Sequence, residues 1–342
     1  MRVSELGEFP LIDRIAGIAA INRPDIIVGI GDDVAVLETQ EEGWLLAKVD
    51  SQVEGVHFRR ETISPFHLGR RALAINLSDI AAAGGRPQFA LVSLALPPNI
   101  EVGWVDELYR GLREEGERYG VAIVGGNLAR SPGGVFVDVF VLGWVQRAHL
   151  LLRSGARPGD QVLVTGTLGD SGAGLSLLSN HSLSVLAEDR EFLLTRHFTP
   201  TPRLAEARVI AGSGKATAMI DLSDGLSSDI GHICDCSHVG VRLWAERLPV
   251  SPAARSVARL TGRTPWQLAI MGGEDYELCF TVPAEHVQQL IGGVEQETGT
   301  LVTVVGQILA ADEGRWLVLE EGKQIPLEAK GWDHFEKPKE EC

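Results

Sequence analysis

Carboxylates recur beside small residues at the predicted ends of strands and helices. Asp32 and Asp33 close Gly29-Ile30-Gly31-Asp32-Asp33 directly after an apolar stretch, and Asp50 ends the run Trp44 to Val49. Asp79 stands in Asn76-Leu77-Ser78-Asp79, where Asn76 and Asp79 share a helix face by their i, i+3 spacing. Asp221 and Asp224 flank Ser223 in Asp221-Leu222-Ser223-Asp224-Gly225, and Glu274-Asp275 follows Gly272-Gly273. An Asp before a helix is commonly an N-cap, and Asp-Gly is commonly a turn, so each motif alone has an ordinary explanation. Together they suggest another. Converging carboxylates repel unless a cation neutralises them, and a hard ion such as Mg²⁺ binds one or two carboxylates while leaving positions for phosphate oxygens. Neighbouring glycines let the backbone approach phosphates closely. The expected chemistry is metal-assisted reaction of a polyphosphate.

Two other patterns carry less. Gly212-Ser213-Gly214-Lys215 imitates a phosphate loop, but Val209 stands where its first glycine belongs and Ala216 cannot hold Mg²⁺. His232, Cys234, Cys236 and His238 have i, i+2 spacing, which a helix directs to different faces, so they read as an ordinary helix.

The periodicities predict the elements that carry these residues. Helices are expected over 6–20, 65–83, 202–211, 223–237 and 284–298, with another marked by Val102, Val105, Leu108, Leu112 and Tyr119. Strands are expected over 26–30, 34–37, 44–49, 88–96, 121–124, 135–145, 161–165, 218–221, 276–282 and 301–308. The turn-rich stretch 151–160 sets a domain boundary near residue 150, dividing the chain into 1–150 and 151–342. Strands and helices intermix without a strict βαβ rhythm, which favours α+β.

The 342 residues carry 46 acidic and 31 basic side chains, a net charge of −15 that argues against a general nucleic-acid binder. Metal ions can still reverse the local sign and admit nucleotides. No leader-like or membrane-spanning run is visible, and four cysteines make a poor disulfide framework, so a cytoplasmic protein without a membrane partner is expected.

The motifs quoted above, with Glu54-Gly55-Val56-His57-Phe58, Ala72 to Ala82, Gly125-Gly126, Arg153-Ser154-Gly155-Ala156 and Gly272 to Leu278, resemble the thiamine-monophosphate kinase family. Its superfamily includes aminoimidazole-ribonucleotide synthetase and selenophosphate synthetase. The resemblance runs from Gly7 to Phe335. It implies two α/β domains, the N-terminal sheet pairing across a homodimer into a barrel and the C-terminal mixed sheet covering the ATP cleft. It also implies direct transfer of the ATP γ-phosphoryl to thiamine monophosphate with several Mg²⁺ ions and no catalytic protein nucleophile. Residue by residue, Asp33, Asp50, Asp79, Asp221 and Asp224 match metal ligands, with Asn127 at a further ligand position. Tyr109, Gly125, Gly126, Arg153 and Ser223 match ATP contacts, and His57, Glu274 and Trp332 match the thiamine-phosphate pocket. Without the resemblance, His57 reads as a satisfied polar residue and Trp332 as an aromatic at the core edge.

Two departures stand out. Asn127 replaces the family's Asp after Gly125-Gly126, and Lys48-Val49 replace two small hydroxyl residues before Asp50. Both weaken the same expected metal site, with Lys48 either compensating by its charge or marking a decayed site. Alternatives to an active kinase are therefore a nucleotide- or thiamine-phosphate-binding relative and a superfamily enzyme with another acceptor.

Overall fold

The computed structural model describes residues 8–19, 23–39 and 42–328; Trp332 lies outside them. After helix α1 (Glu8–Ala19), strands β1 (Ile26–Val28), β2 (Ala35–Glu38), β3 (Trp44–Val53), β4 (Arg86–Leu96), β5 (Ala122–Arg130) and β6 (Phe136–Val145) form one sheet in the order β1-β2-β3-β6-β4-β5. All neighbours are antiparallel except β4 and β5, which helix α3 (Val102–Tyr119) joins as a parallel pair. The second sheet runs β13-β12-β9-β11-β7-β10-β8, built from β7 (Gln161–Thr165), β8 (Ala218–Asp221), β9 (Gly240–Trp244), β10 (Leu278–Val282), β11 (Val302–Leu309), β12 (Arg315–Val318) and β13 (Gln324–Pro326). Helices α4 (Asp170–Ser179), α5 (Ala187–Phe198), α6 (Leu204–Gly212), α7 (Leu226–Ser237), α8 (Pro252–Leu260), α9 (Pro265–Met271) and α10 (Val287–Thr298) complete this half.

One helix belongs to both halves. Helix α2 (Pro65–Ala82) starts with Pro65 in its first turn and Ser64 as N-cap, its hydroxyl accepting from the His67 amide at 3.2 Å. Leu68, Leu73, Leu77 and Ile80 pack on the first sheet, while Ala81 and Ala82 join Leu163, Met219 and Phe280 of the second. Glycines set the approach of α3 to α2. A Cβ at Gly69 would lie 2.0 Å from the Leu108 carbonyl oxygen, and one at Gly111 would lie 1.9 Å from that of Phe66.

Alternation along the first sheet separates two faces. Leu46, Ala90, Val92, Val137, Val139 and Val141 are buried toward the helices. The opposite face carries the in-register rows Ala47–Leu142–Phe89 and Val49–Phe140–Leu91, where Val49 is 52% and Phe89 46% exposed. Strands β9, β12 and β13 and helices α4, α5, α8 and α9 stand outside the expected set, and two strands of the first sheet run well past their expected ends. β3 continues to Val53 and β5 to Arg130; the glycines after Val124 suggest an end, but parallel pairing with β4 carries the strand through a bulge between Ile123 and Gly125.

Gly-Gly-Glu-Asp-Tyr-Glu-Leu distributes its side chains among separate partners. Asp275 accepts from the Gly169 and Ser171 amides at 2.6 and 3.2 Å, capping α4. Glu277 is fully buried and accepts from Arg196, Arg203 and the Thr165 hydroxyl, each at 2.6 Å. Removing one partner of a buried ion pair strands the other charge and costs about 3–5 kcal/mol. Glu277→Ala is expected to lose about that much in urea unfolding; a loss below about 1 kcal/mol would show that the two arginines find water instead.

Candidate active site

Four elements meet where α2 passes between the sheets. Asp79 comes from the last turn of α2, Asp221 from the end of β8, Asp33 from the loop before β2, and Lys48 and Asp50 from the helix-facing side of β3. The carboxylate oxygens of Asp33, Asp79 and Asp221 lie within 4.8 Å of one another, and all three residues are buried. Burial, reinforced by the charge of Asp33, pushes the Asp221 carboxyl up to about 7 despite the 2.6 Å hydrogen bond from Ser78 and the nearby Lys48 and Arg153. Asp79 is also pushed well up by burial. Lys48 works against this shift, while Asp221, Asp50 and Asp33 add to it.

Two side-chain cations border the cluster. Lys48 donates to Asp79 at 2.7 Å and stands 3.6 Å from Asp50. Burial opposes the charge on Lys48, but Asp50, Asp79 and Asp221 hold it protonated. Arg153 pairs with Asp33 through two guanidinium nitrogens, and its amide donates to Asp32 at 3.3 Å. Burial and the neighbouring Asp33 raise Asp32 to about 6.

A second group follows. Asp224, Asp229 and His232 also bring ligand atoms within 4.8 Å of one another, and Asp229 accepts from the Asp224 and Gly225 amides at 3.2 and 3.0 Å. The helix thus separates His232 from the cysteines, as expected, but unites it with Asp229 one turn earlier. Ser223 sits between the two groups, its carbonyl accepting from the Glu274 amide at 2.6 Å.

Glu274 lies at a left-handed backbone position, φ 66°, and is held by the fully buried Arg71, which also donates to Gln52 at 3.1 Å and the His197 carbonyl at 2.6 Å. Burial and Arg71 push His197 down to about 3, leaving a neutral imidazole 3.0 Å from Ser171 and 3.5 Å from Glu274. His57 follows β3, where its Nδ1 accepts the Val53 amide at 3.0 Å. Arg71, Ser78 and Asp229 are the residues sequence reasoning passed over. Ser78 stood inside a quoted motif, and Asp229 shares a helix face with His232.

Other expected residues do not join the cluster within one chain. Gly125, Gly126 and Asn127 occupy exposed β5 at the sheet edge. Register places Gly126 in line with Val92, Val139 and Asp50, so three strand spacings, roughly 14 Å, intervene. Asn127 falls in the next row, with Ser93, Asp138 and Ser51, on the face away from α2. The expectation that Asn127 and Lys48 weaken one metal site is therefore not met within a single protomer. Tyr109 borders a hollow with Arg113 and Glu117 of α3 and Ile123 at the start of β5.

The donor set fits a hard divalent ion. It offers only oxygens, closely spaced, and the carboxyls of Asp79 and Asp221, raised by burial and by neighbouring carboxylates, would be favoured in their charged forms by a cation. Asn76, one turn before Asp79, also keeps a buried Oδ1 without a donor.

The fold and this site define an AIR synthase related protein: residues 31–145 match the N-terminal domain of that family and residues 157–318 its C-terminal domain. The Escherichia coli (strain K12) thiamine-monophosphate kinase is 38% identical over 332 residues, 97% of this chain and 99% of that protein. The Aquifex aeolicus (strain VF5) thiamine-monophosphate kinase is 38% identical over 341 residues, covering 98% and 100%. The solved structure of AaThiL complexed with AMPPCP and TMP superposes with a TM-score of 0.83 at 36% identity, covering 98% of this chain and 99% of that one. The chain belongs to the thiamine-monophosphate kinase family.

A pH prediction follows from the carboxyls. Asp221 and Asp32 bind protons more tightly folded, at about 7 and about 6, than at their ordinary 3.8. The folded chain holds extra protons in that window, so without divalent ions stability falls as pH rises from about 4 through about 7. Mg²⁺ favours the charged forms. Its increase in Tm over an EDTA control should be larger near pH 8 than near pH 5.5; an equal increase at both would remove these carboxyls from the metal's surroundings.

Proposed function

We propose that this protein transfers the γ-phosphoryl group of ATP directly to the phosphate of thiamine monophosphate, giving thiamine diphosphate and ADP. The observation that carries the reading is the buried convergence of Asp33, Asp79 and Asp221 beside Lys48 and Arg153, in a chain so similar over its full length to thiamine-monophosphate kinases. An acceptor phosphate oxygen bonds to Pγ as the bond from Pγ to the β,γ-bridging oxygen breaks, and the electron pair leaves on ADP. No protein nucleophile is needed, so positioning and charge neutralisation dominate.

Asp33, Asp79 and Asp221 would hold one Mg²⁺, with Asp50 as the fourth carboxylate of the set; Asp224, with Asp229 and His232, would serve a second ion. The chemistry such ions supply is neutralisation of the facing phosphate oxygens. Arg153, anchored by Asp33, presents a guanidinium for ATP phosphates, and Ser223 offers its hydroxyl at the strand-to-helix junction. The Val53 amide donates to His57 Nδ1, which puts the neutral tautomer's proton on Nε2; from the resemblance, His57 is proposed for the acceptor pocket. Glu274, oriented by Arg71, offers acceptors to an aminopyrimidine. Trp332 is proposed for the same pocket from the resemblance. Residues 1–150 would carry the metal and dimer surfaces and 151–342 complete the cleft.

We place a second copy of the chain on the exposed sheet face and edges. Along β3, β2 covers only Trp44 to Ala47, so among the described residues the edge of β3 from Lys48 onward is open, as is the outer side of β5. Pairing these edges across a dimer closes a barrel over the apolar rows. It also brings the partner's Gly125-Gly126-Asn127 segment toward Asp50 and supplies Tyr109 to the shared nucleotide site. Three free cysteines among the described residues suit a reducing cytoplasm, and no described helix is long and apolar enough to cross a membrane.

Coupled turnover with ATP, Mg²⁺ and thiamine monophosphate tests the reading, with other phosphate acceptors as controls. Asp79→Asn should cut kcat by roughly two orders of magnitude or more while the protein stays folded. Binding of both ligands without turnover would identify a binding protein, and turnover only with another acceptor would reassign the substrate. Light scattering should give about twice the 36.9 kDa chain mass; a clean monomer would overturn the barrel.

A further inference from the structure

The carboxylates of the cluster are not equally supplied with positive charge. The Arg153 guanidinium serves Asp33, and its backbone amide donates to Asp32. Asp221 has a hydroxyl hydrogen bond from Ser78. Asp50 and Asp79, in contrast, share one ammonium, with Lys48 Nζ 3.6 Å from the first and 2.7 Å from the second. The ammonium is tethered on a strand whose register is fixed on both sides of it, Ala47 opposite Leu142 and Val49 opposite Phe140. Its side chain is only 20% exposed, so it has little freedom to leave. A divalent ion bridging Asp50 and Asp79 would have to sit within a few ångströms of this charge, where like charges repel by several kcal/mol even at an effective dielectric constant of about 20. On the side of Asp79 toward Asp33 and Asp221, three carboxylate oxygens lie within 4.8 Å of one another, and the cation there, Arg153, is paired with Asp33.

We propose that the Lys48 ammonium is a built-in cation of the active site: it fills the Asp50–Asp79 corner that a divalent ion would otherwise bridge, leaving metal to the Asp33–Asp79–Asp221 side. The inference rests on the metal-binding reading above and narrows it, since Asp50 then serves Lys48 and not a metal. The positive charge at this corner comes with the folded chain and does not depend on the Mg²⁺ concentration.

The test counts ions directly, without turnover. Mn²⁺ binding to the full chain, free of nucleotide, is measured by equilibrium dialysis and electron paramagnetic resonance. Lys48→Thr and the near-isosteric Lys48→Met should each bind one Mn²⁺ more per chain than wild type, whereas Lys48→Arg should keep the wild-type number. Thermal unfolding in EDTA should show both neutral variants below wild type, with a larger recovery on adding Mg²⁺. Asp50→Asn in the wild-type background covers the case in which neutral variants do not fold. It should leave the Mn²⁺ count unchanged, while Asp221→Asn lowers it. Equal counts in folded wild type, Lys48→Thr and Lys48→Met, or an ion lost with Asp50→Asn, would overturn the assignment of Lys48. No Mn²⁺ binding by any form would overturn the metal-binding reading itself.

Discussion

The buried helix α2 is the constraint on which the rest depends. A helix enclosed on every side can carry a charged residue only where a partner meets it, because an isolated buried charge costs far more than a packed side chain returns. Arg71 and Asp79 stand more than two turns apart on it, and the molecule is arranged to satisfy both. Arg71 collects Gln52 from the first sheet, a carbonyl from α5 and Glu274 from the loop before β10. Asp79 meets Lys48, with Asp33 and Asp221 close by. The two halves of the chain are thus joined by polar contacts at two levels of one helix, with apolar packing between and around them.

The two levels differ in how completely they are neutralised. Arg71 meets one carboxylate, Glu274, and two arginines hold the Glu277 carboxyl below its ordinary range against the cost of burial. Around Asp79, four carboxylates face two side-chain cations. A carboxylate held in its charged form by arginines makes a structural joint, and buried carboxylates pushed up by one another make a place for a further cation. The difference sorts the acidic residues by role better than their burial does, since Glu277 and Asp79 are both buried.

Much of this was legible in the chain. Asp33, Asp79 and Asp221 were recognisable because each sits at an element end beside small residues, and the alternation in Val135 to Val145 announced a sheet with one buried face. The partnerships were not, because they are non-local. Lys48 and Asp79 are 31 residues apart and Arg71 and Glu274 are 203 apart, and no periodicity reports such distances. The glycines at Gly125-Gly126 read as a strand end because local propensity cannot see the β4 edge waiting to pair with them. Their separation from Asp50 appears only once the strand order β3-β6-β4-β5 is known.

The loop around Glu274 has a consequence for folding order. Glu274 and Tyr276 both adopt left-handed backbone angles, φ 66° and 52°, a conformation that costs a non-glycine residue about 1–2 kcal/mol. Alone, the segment has no reason to hold that shape. It needs the N-terminus of α4 for Asp275, the arginines of α5 and the loop before α6 for Glu277, and the Leu222 and Ser223 carbonyls for its own amides. These partners come from segments scattered over more than a hundred residues, so the loop can settle only after the second sheet and its helices are assembled. Glu274 is thereby aimed late, by a finished scaffold, and the site's final shape reports that the surrounding domain has folded correctly.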